Sequence, residues 1–263
     1  MMDLDLTGKR ALVCGASRGI GRAVAQTLAA LGAKVTVLAR SEKDLSQTVT
    51  SLDTGAGQEH GLLVTDSLSE NSLTATIKAL TLETAPVQIL VNNSGGPPPG
   101  PVHTADAEEF TRAFTQHVIA NHKLLEALLP GMKESGYGRV INIISTSVKE
   151  PIKGLGVSNT IRGAVASWAK TLAGELGPSG ITVNNVLPGF TSTERLASLL
   201  EGRAKKTGRP LADIEQDALN SVPMGRFARP AEIADAVAFL ASPAAAYING
   251  INLPVDGGRT SSL

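Results

Sequence analysis

The residues Gly15-Ala16-Ser17-Arg18-Gly19-Ile20-Gly21 hold the spacing in this chain that most directly implies chemistry. They follow a short apolar run ending in Cys14 and lead into residues with helical apolar spacing, Val24, Leu28 and Leu31. Strand, glycine loop and helix in that order build an anion cradle, because the new helix offers free N–H groups and a positive dipole end. Gly15 turns the chain sharply off the strand, Gly19 lets the backbone approach a pyrophosphate, and Gly21 lets the helix pack on the sheet. A tight turn with no ligand is the plainer reading of the same glycines. Arg40 follows the next apolar run, which ends in Ala39, about 20 residues beyond the loop, where an NAD site carries a carboxylate for the ribose hydroxyls. With no acid there, Arg40 and Arg18 are placed to clamp a 2′-phosphate, which favours NADP(H) over NAD(H).

Acid–base chemistry has one candidate on side-chain type alone. His117, with an ordinary pKa near ~6.5, lies on an expected helix at 106–133, in a stripe with Phe110, Phe114, Asn121 and Leu125. A hydrogen-bonded structural histidine is the competing reading. His103 and His122 read as surface residues, and Lys149 and Lys153 as solvated loop lysines. No spacing of His, Cys, Asp or Glu forms a metal site, and the lone Cys14 reads as a buried small side chain.

Elements that would position these groups alternate along the whole chain. Strands are expected at 10–14, 34–39, 60–64, 88–92, 139–144, 182–187 and 248–255, with helices between them. Such alternation predicts an α/β fold, a single doubly wound domain over 1–263 with a seven-stranded, mostly parallel sheet flanked by helices. In that architecture ligands bind beyond the carboxyl ends of the strands. Those ends gather the glycine loop, Arg40, Asp66, Asn93 and Gly95, Ser145, and Pro188 with Gly189. Two stretches break the rhythm: the proline-rich loop 94–101, and a long polar segment at 191–226 that reads as a flap over the site. Its Arg195, Arg203, Lys205, Lys206 and Arg209 form either a basic docking patch or a solvated face.

Bulk properties exclude several classes. Lysine plus arginine equals aspartate plus glutamate at 24 each, which argues against nucleic acid and anionic membrane partners. Aromatic residues make up 3% of the chain, too few for a base-stacking surface. The acidic start MMDLDLTGKR has no apolar leader, and no apolar run reaches membrane-spanning length, so a soluble cytoplasmic protein is expected.

Four segments carry a family resemblance. CGASRGIG (14–21) resembles the TGxxxGIG loop of the short-chain dehydrogenase/reductase family, and VNNSG (91–95) resembles its NNAG segment. NNVLPGFTST (184–193) is similar to its VNxVxPGxxxT segment, and GRFARPAEIADAVAFLASPAAAYINGINLPVDGG (225–258) to its C-terminal signature. Within the family the pattern is most like β-ketoacyl-acyl-carrier-protein reductases. The resemblance implies a Rossmann sheet, a nicotinamide cofactor, a carbonyl or acyl-thioester substrate, and a homodimer or homotetramer. It places cofactor contacts at Gly15, Ser17, Arg18, Gly19, Ile20, Gly21, Arg40, Asp66, Asn93, Gly95, Pro188, Gly189, Thr191 and Thr193. Asp66 would accept from the adenine amino group, although on a loop of this kind it would serve equally as a helix cap. The family's dimer axis involves the helix at 156–177, rich here in glycine and alanine, and the helix before it.

The catalytic positions depart from the family. Its members carry a serine after the fifth strand, YxxxK on the following helix and an asparagine on the preceding one. The resemblance sets Ser145 at the serine, Ser158 at the tyrosine, Arg162 at the lysine and His117 at the asparagine. The chain's two tyrosines, Tyr137 and Tyr247, are followed four residues on by Ile141 and Ile251, so YxxxK is absent. A serine hydroxyl is a far weaker acid than a phenol and ends roughly 4 Å short of its oxygen. Two readings stand. In one, an NADP(H)-dependent oxidoreductase works with Ser145 orienting the carbonyl and a water or His117 supplying the proton. In the other, a nucleotide-binding scaffold or redox sensor has kept the fold and lost turnover.

Overall fold

The computed structural model describes residues 2–82 and 85–262, and it forms one sheet from seven short runs of β-branched and aliphatic residues. These are β1 (Arg10–Cys14), β2 (Lys34–Ala39), β3 (Gly61–Val64), β4 (Ile89–Asn92), β5 (Gly138–Ile143), β6 (Ile181–Pro188) and β7 (Asn252–Val255). Every pairing is parallel and the order is β3-β2-β1-β4-β5-β6-β7. The winding reverses between β1 and β4, which opens a crevice where their carboxyl ends meet. Helices α1 (Gly19–Ala30), α2 (Glu42–Thr50), α3 (Glu70–Thr81), α4 (Ala107–Phe114), α5 (Ala120–Glu134) and α6 (Gly156–Leu176) make the crossovers. Helices α7 (Glu194–Thr207), α8 (Leu211–Asn220) and α9 (Pro230–Ala241) follow β6.

Side-chain alternation along each strand feeds two cores. Val13, Val35, Val37, Val91 and Ile141 pack with Val24 and Leu28 of α1 and Ile233 and Val237 of α9. Leu12, Leu38, Leu90, Val140 and Val183 point the other way, to Leu124, Leu128 and Met132 of α5 and Ala169 and Ala173 of α6. Both faces are covered, which is why the central strands read as unbroken apolar runs. Cys14 is buried, and burial pushes its thiol up to about 12.

Two expected elements differ from the structure. The run 248–255 begins as strand only at Asn252, because Asn184 holds the segment before it: its Nδ2 donates to Ile248 O and its Oδ1 accepts from Ile251 N. The helix expected at 106–133 is three segments, with a π-helical turn at Thr115–Ile119 between α4 and α5. There the Ala120 N–H reaches back five residues, to Thr115 O. Such wide turns often mark functional positions, and this one carries His117.

The right half of the sheet contains a ladder of amides. Asn92 Nδ2 donates to Asn142 Oδ1 at 2.8 Å, Asn142 Nδ2 to Asn185 Oδ1 at 2.9 Å, and Asn185 Nδ2 to Asn252 Oδ1 at 2.8 Å. The four residues are direct register partners across β4, β5, β6 and β7. A one-residue slip of any strand would bury unpaired amides, so the ladder fixes the register. Asn142→Ala should leave Asn92 Nδ2 and Asn185 Oδ1 without partners and cost about 2–4 kcal/mol. Urea unfolding is expected to show a lower midpoint at an unchanged slope.

Candidate active site

The glycine loop is shaped by Asn93. Its Nδ2 donates to Cys14 O at 3.3 Å and to Gly15 O at 3.2 Å, tying the end of β4 to the end of β1. A Cβ on Gly15 would stand 2.6 Å from Asn93 O, and the left-handed φ of +60° there also favours glycine. A Cβ on Gly21 would stand 2.2 Å from Gly15 O and 2.7 Å from Asn93 Nδ2. Gly21 thus permits packing against the loop and Asn93 directly. Helix α1 then starts with no side-chain cap and no acid in its first turn, whereas Ser41, Ser69 and Thr193 cap α2, α3 and α7. An open, uncapped helix start behind a glycine cradle fits a pyrophosphate.

The remaining cofactor candidates fall around that cradle. Ser17 in the loop and Ile20 on the first turn of α1 are half-buried, and Ser17 O accepts from Arg22 Nη2. Arg40 is exposed at the end of β2. Arg18 is paired with Glu194 at the start of α7, at 2.5 Å, and both side chains are largely exposed. Exposed pairs of this kind contribute at most about 1 kcal/mol, so a bound phosphate could compete for Arg18. Asp66 is not a helix cap: its Oδ1 accepts from Leu68 N, and Ser69 caps α3. Gly95 is exposed with open space around it. Gly189 is held by close packing, since a Cβ there would lie 2.7 Å from the Asp256 backbone. Thr191 is buried, and the neck it forms with Ala228 anchors the flap. Thr193 caps α7 and sets its methyl 3.4 Å from where a Gly19 side chain would begin. The flap itself is a pair of helices with an apolar centre of Leu196, Leu200, Ile214 and Ala218.

The catalytic candidates gather at the ends of β4 and β5. Ser145 extends off β5, and its Oγ accepts from Ser147 N at 3.1 Å. Ser158 and Arg162 share one face of α6, a single turn apart. The Arg162 guanidinium is buried and donates to Ile143 O at 3.2 Å and Ser94 O at 3.4 Å. Burial first, and then the nearby Arg195, lower its pKa to about 10. It stays charged at neutral pH.

His117 is 1% exposed, and its Nδ1 hydrogen-bonds Ser94 Oγ at 2.7 Å. Its Nε2 is buried without a partner. Burial, and secondly the Arg162 charge, lower the imidazole pKa to about 3, opposed by the Gly95 backbone. At neutral pH the ring is uncharged and sealed from solvent. A ring in this state holds no spare proton to donate at neutral pH, and its Nδ1 is engaged with Ser94 Oγ. Asn121 is also taken, donating to His117 O at 2.7 Å.

Sequence reasoning passed over Ser94 as a contact point. Its hydroxyl meets His117 and its carbonyl meets Arg162. The signal was present, since VNNSG departs from NNAG at this very residue. The link between the chain's end and the loop after β5 had no such signal: Ser261 N and Ser262 N both donate to Glu150 Oε1. Among the described residues no group of three or more metal-ligating side chains exists, and no helix is long and apolar enough to cross a membrane.

A parallel doubly wound sheet with a glycine cradle at its switch point defines a dinucleotide-binding protein. Known proteins narrow that class. A family described as enoyl-(acyl-carrier-protein) reductase matches residues 15–260. The 3-oxoacyl-[acyl-carrier-protein] reductase of Vibrio cholerae is 39% identical over 258 residues, 97% of this chain and 98% of that protein. The L-sorbose reductase from Gluconobacter frateurii, solved with NADPH and L-sorbose, superimposes with a TM-score of 0.92 at 29% identity over the full length of both chains. An NADPH-dependent reductase involved in bacilysin biosynthesis gives a TM-score of 0.91 at 28% identity, over 97% of this chain and 99% of that one. The chain belongs to the short-chain dehydrogenase/reductase family of oxidoreductases.

The buried histidine predicts an acid-labile component of stability. In the unfolded chain His117 titrates near ~6.5, and in the fold near 3, so the unfolded state binds the proton first. Its contribution is whole above pH ~6.5 and is lost as pH falls toward 3. Between pH 7.5 and pH 5 the loss should be about 2 kcal/mol, and His117→Gln should lack it. Urea unfolding of both proteins at the two pH values checks this.

Proposed function

We propose that the chain is an NADPH-dependent reductase of a small carbonyl or acyl-thioester substrate. The observation that carries this reading is the pairing of an intact cradle, Gly15, Gly19 and Gly21 pegged by Asn93, with Ser145 at the next strand end but one. The relatives named above support it, and two of them are described with NADPH.

In this reading the uncapped start of α1 holds the pyrophosphate, Arg40 and Arg18 take the 2′-phosphate, and Asp66 takes the adenine amino group. Asn93, Gly95, Pro188, Gly189, Thr191 and Thr193 border the nicotinamide half. Bound NADPH would supply a hydride. Ser145 donates a hydrogen bond to the substrate carbonyl, which polarises it and fixes its face. Charge developing on that oxygen is stabilised by the buried Arg162 guanidinium, which acts as a fixed positive charge and not as an acid. Ser158 ends too far back to replace a phenol, so a water held by its hydroxyl relays a proton from bulk solvent to that oxygen. In this reading His117 stays neutral and the pH profile of turnover should show no ionisation near pH ~6.5 from it.

The protein works in this reading as a soluble cytoplasmic homodimer or homotetramer. Gly163 and Gly174 of α6 have open space before them, room for a second helix to approach. It needs neither a metal nor a nucleic-acid partner.

NADPH titration followed by Trp168 fluorescence, then NADPH consumption on a panel of ketones and acyl thioesters, tests the proposal. Arg40→Ala should weaken NADPH about 10-fold and leave NADH nearly unchanged, as one charge-assisted contact to the phosphate is lost. Ser145→Ala should lower turnover about 100-fold with NADPH affinity retained. No affinity for either coenzyme would end this reading.

A further inference from the structure

Arg162 retains 7% of its surface, and its partners are two main-chain carbonyls. Among the described residues the ion pairs engage Arg18, Lys123, Arg209, Arg226 and Arg229, and none reaches Arg162. A buried guanidinium normally has a counter-charge, because carbonyl dipoles replace only part of its lost hydration. Here a second cation comes instead. Arg195, on the first turn of α7, donates from Nη2 to Pro97 O at 3.1 Å. A point one bond above the Gly96 Cα, where a Cβ would sit, lies 3.7 Å from Arg195 Nη2 and 3.8 Å from Arg162 Nη2. Two like charges thus converge on one small space, and the neighbouring His117 imidazole is neutral. Among the described residues no carboxylate lies within ion-pair distance of either guanidinium.

We propose that Arg162 and Arg195 form a two-guanidinium seat above Gly96 for the carboxylate of an oxo-acid substrate. This rests on the reductase reading and names the substrate class for that site. Paired guanidiniums suit a carboxylate, whose two oxygens accept one N–H from each fork. The seat belongs to the substrate side, for the phosphates of a dinucleotide already have the glycine cradle, Arg18 and Arg40. Gly96 follows Ser94 on the rim that also carries Ser145. A thioester carbonyl has no formal charge and gains little from such a seat. Because Arg195 rides on the flap, an anionic substrate would also draw that helix toward the rim.

The test compares acids with their own esters. With NADP⁺ saturating, calorimetric titrations use acetoacetate and ethyl acetoacetate, and pyruvate and ethyl pyruvate. At least one acid should bind 10-fold or more tightly than its ester. Arg195→Gln should reduce that ratio below about 3, and Arg195→Lys should recover part of it. Gly96→Ala keeps both charges and sets a methyl at ordinary contact distance from both forks, so it should weaken the acid alone. All three variants should bind NADPH like the parent. Equal binding of acid and ester, binding of neither, or an unchanged ratio in Arg195→Gln overturns the seat. Loss of NADPH affinity in Arg195→Gln overturns it too, by assigning the charges to the coenzyme. Failure of the parent protein to bind NADPH would instead overturn the reductase reading.

Discussion

Amide-to-amide hydrogen bonding across four neighbouring strands sets the height of everything on the right-hand rim. Asn92, Asn142, Asn185 and Asn252 lock β4 through β7 in one register, and the residues that leave those strands inherit it. Asn93 and Ser94 come directly after the first rung, Ser145 three residues after the second, and Pro188 three after the third. Asn93 then carries the same constraint leftward by bonding Cys14 O and Gly15 O. Hydrophobic burial holds such a sheet together but is indifferent to small slips along the strands. Polar pairs with one acceptable partner are not.

The departures from the family pattern form a set. Serine in place of alanine at 94, histidine in place of asparagine at 117 and arginine in place of lysine at 162 meet one another in space. The histidine needs a partner for Nδ1 and Ser94 provides the hydroxyl; the arginine needs acceptors and the Ser94 carbonyl is one of them. Together they give a neutral ring, a retained cation and one loop residue shared between them.

The strand–loop–helix unit at 10–31 and the seven strands were legible in the sequence because local signals and tertiary context agree there: apolar runs, glycines at a turn, and helical spacing afterward. Boundaries moved where a distant side chain took over, as when Asn184 claimed residues 248–251. The protonation of His117 was not legible. Its type promised a titrating group, but the pKa depends on burial under the 94–96 loop and on Arg162, neither of which has a sequence signature. Arg195 was visible only as one of five basic residues in the flap. Although exposed, it reaches Pro97 O from the α7 start, which Thr193 caps and the Thr191–Ala228 neck anchors.

The single wide turn at 115–119 has a geometric effect that reaches beyond His117. One added residue in a turn rotates all that follows by about 100° around the axis. Phe110 and Ala113, before it, face Val157 and Ile161 of α6, whereas Leu124 and Leu128, after it, face the sheet core. One rod thus shows apolar stripes of two different phases to two different neighbours. Refolding that turn as regular α-helix with every residue kept would swing one stripe away from its neighbour.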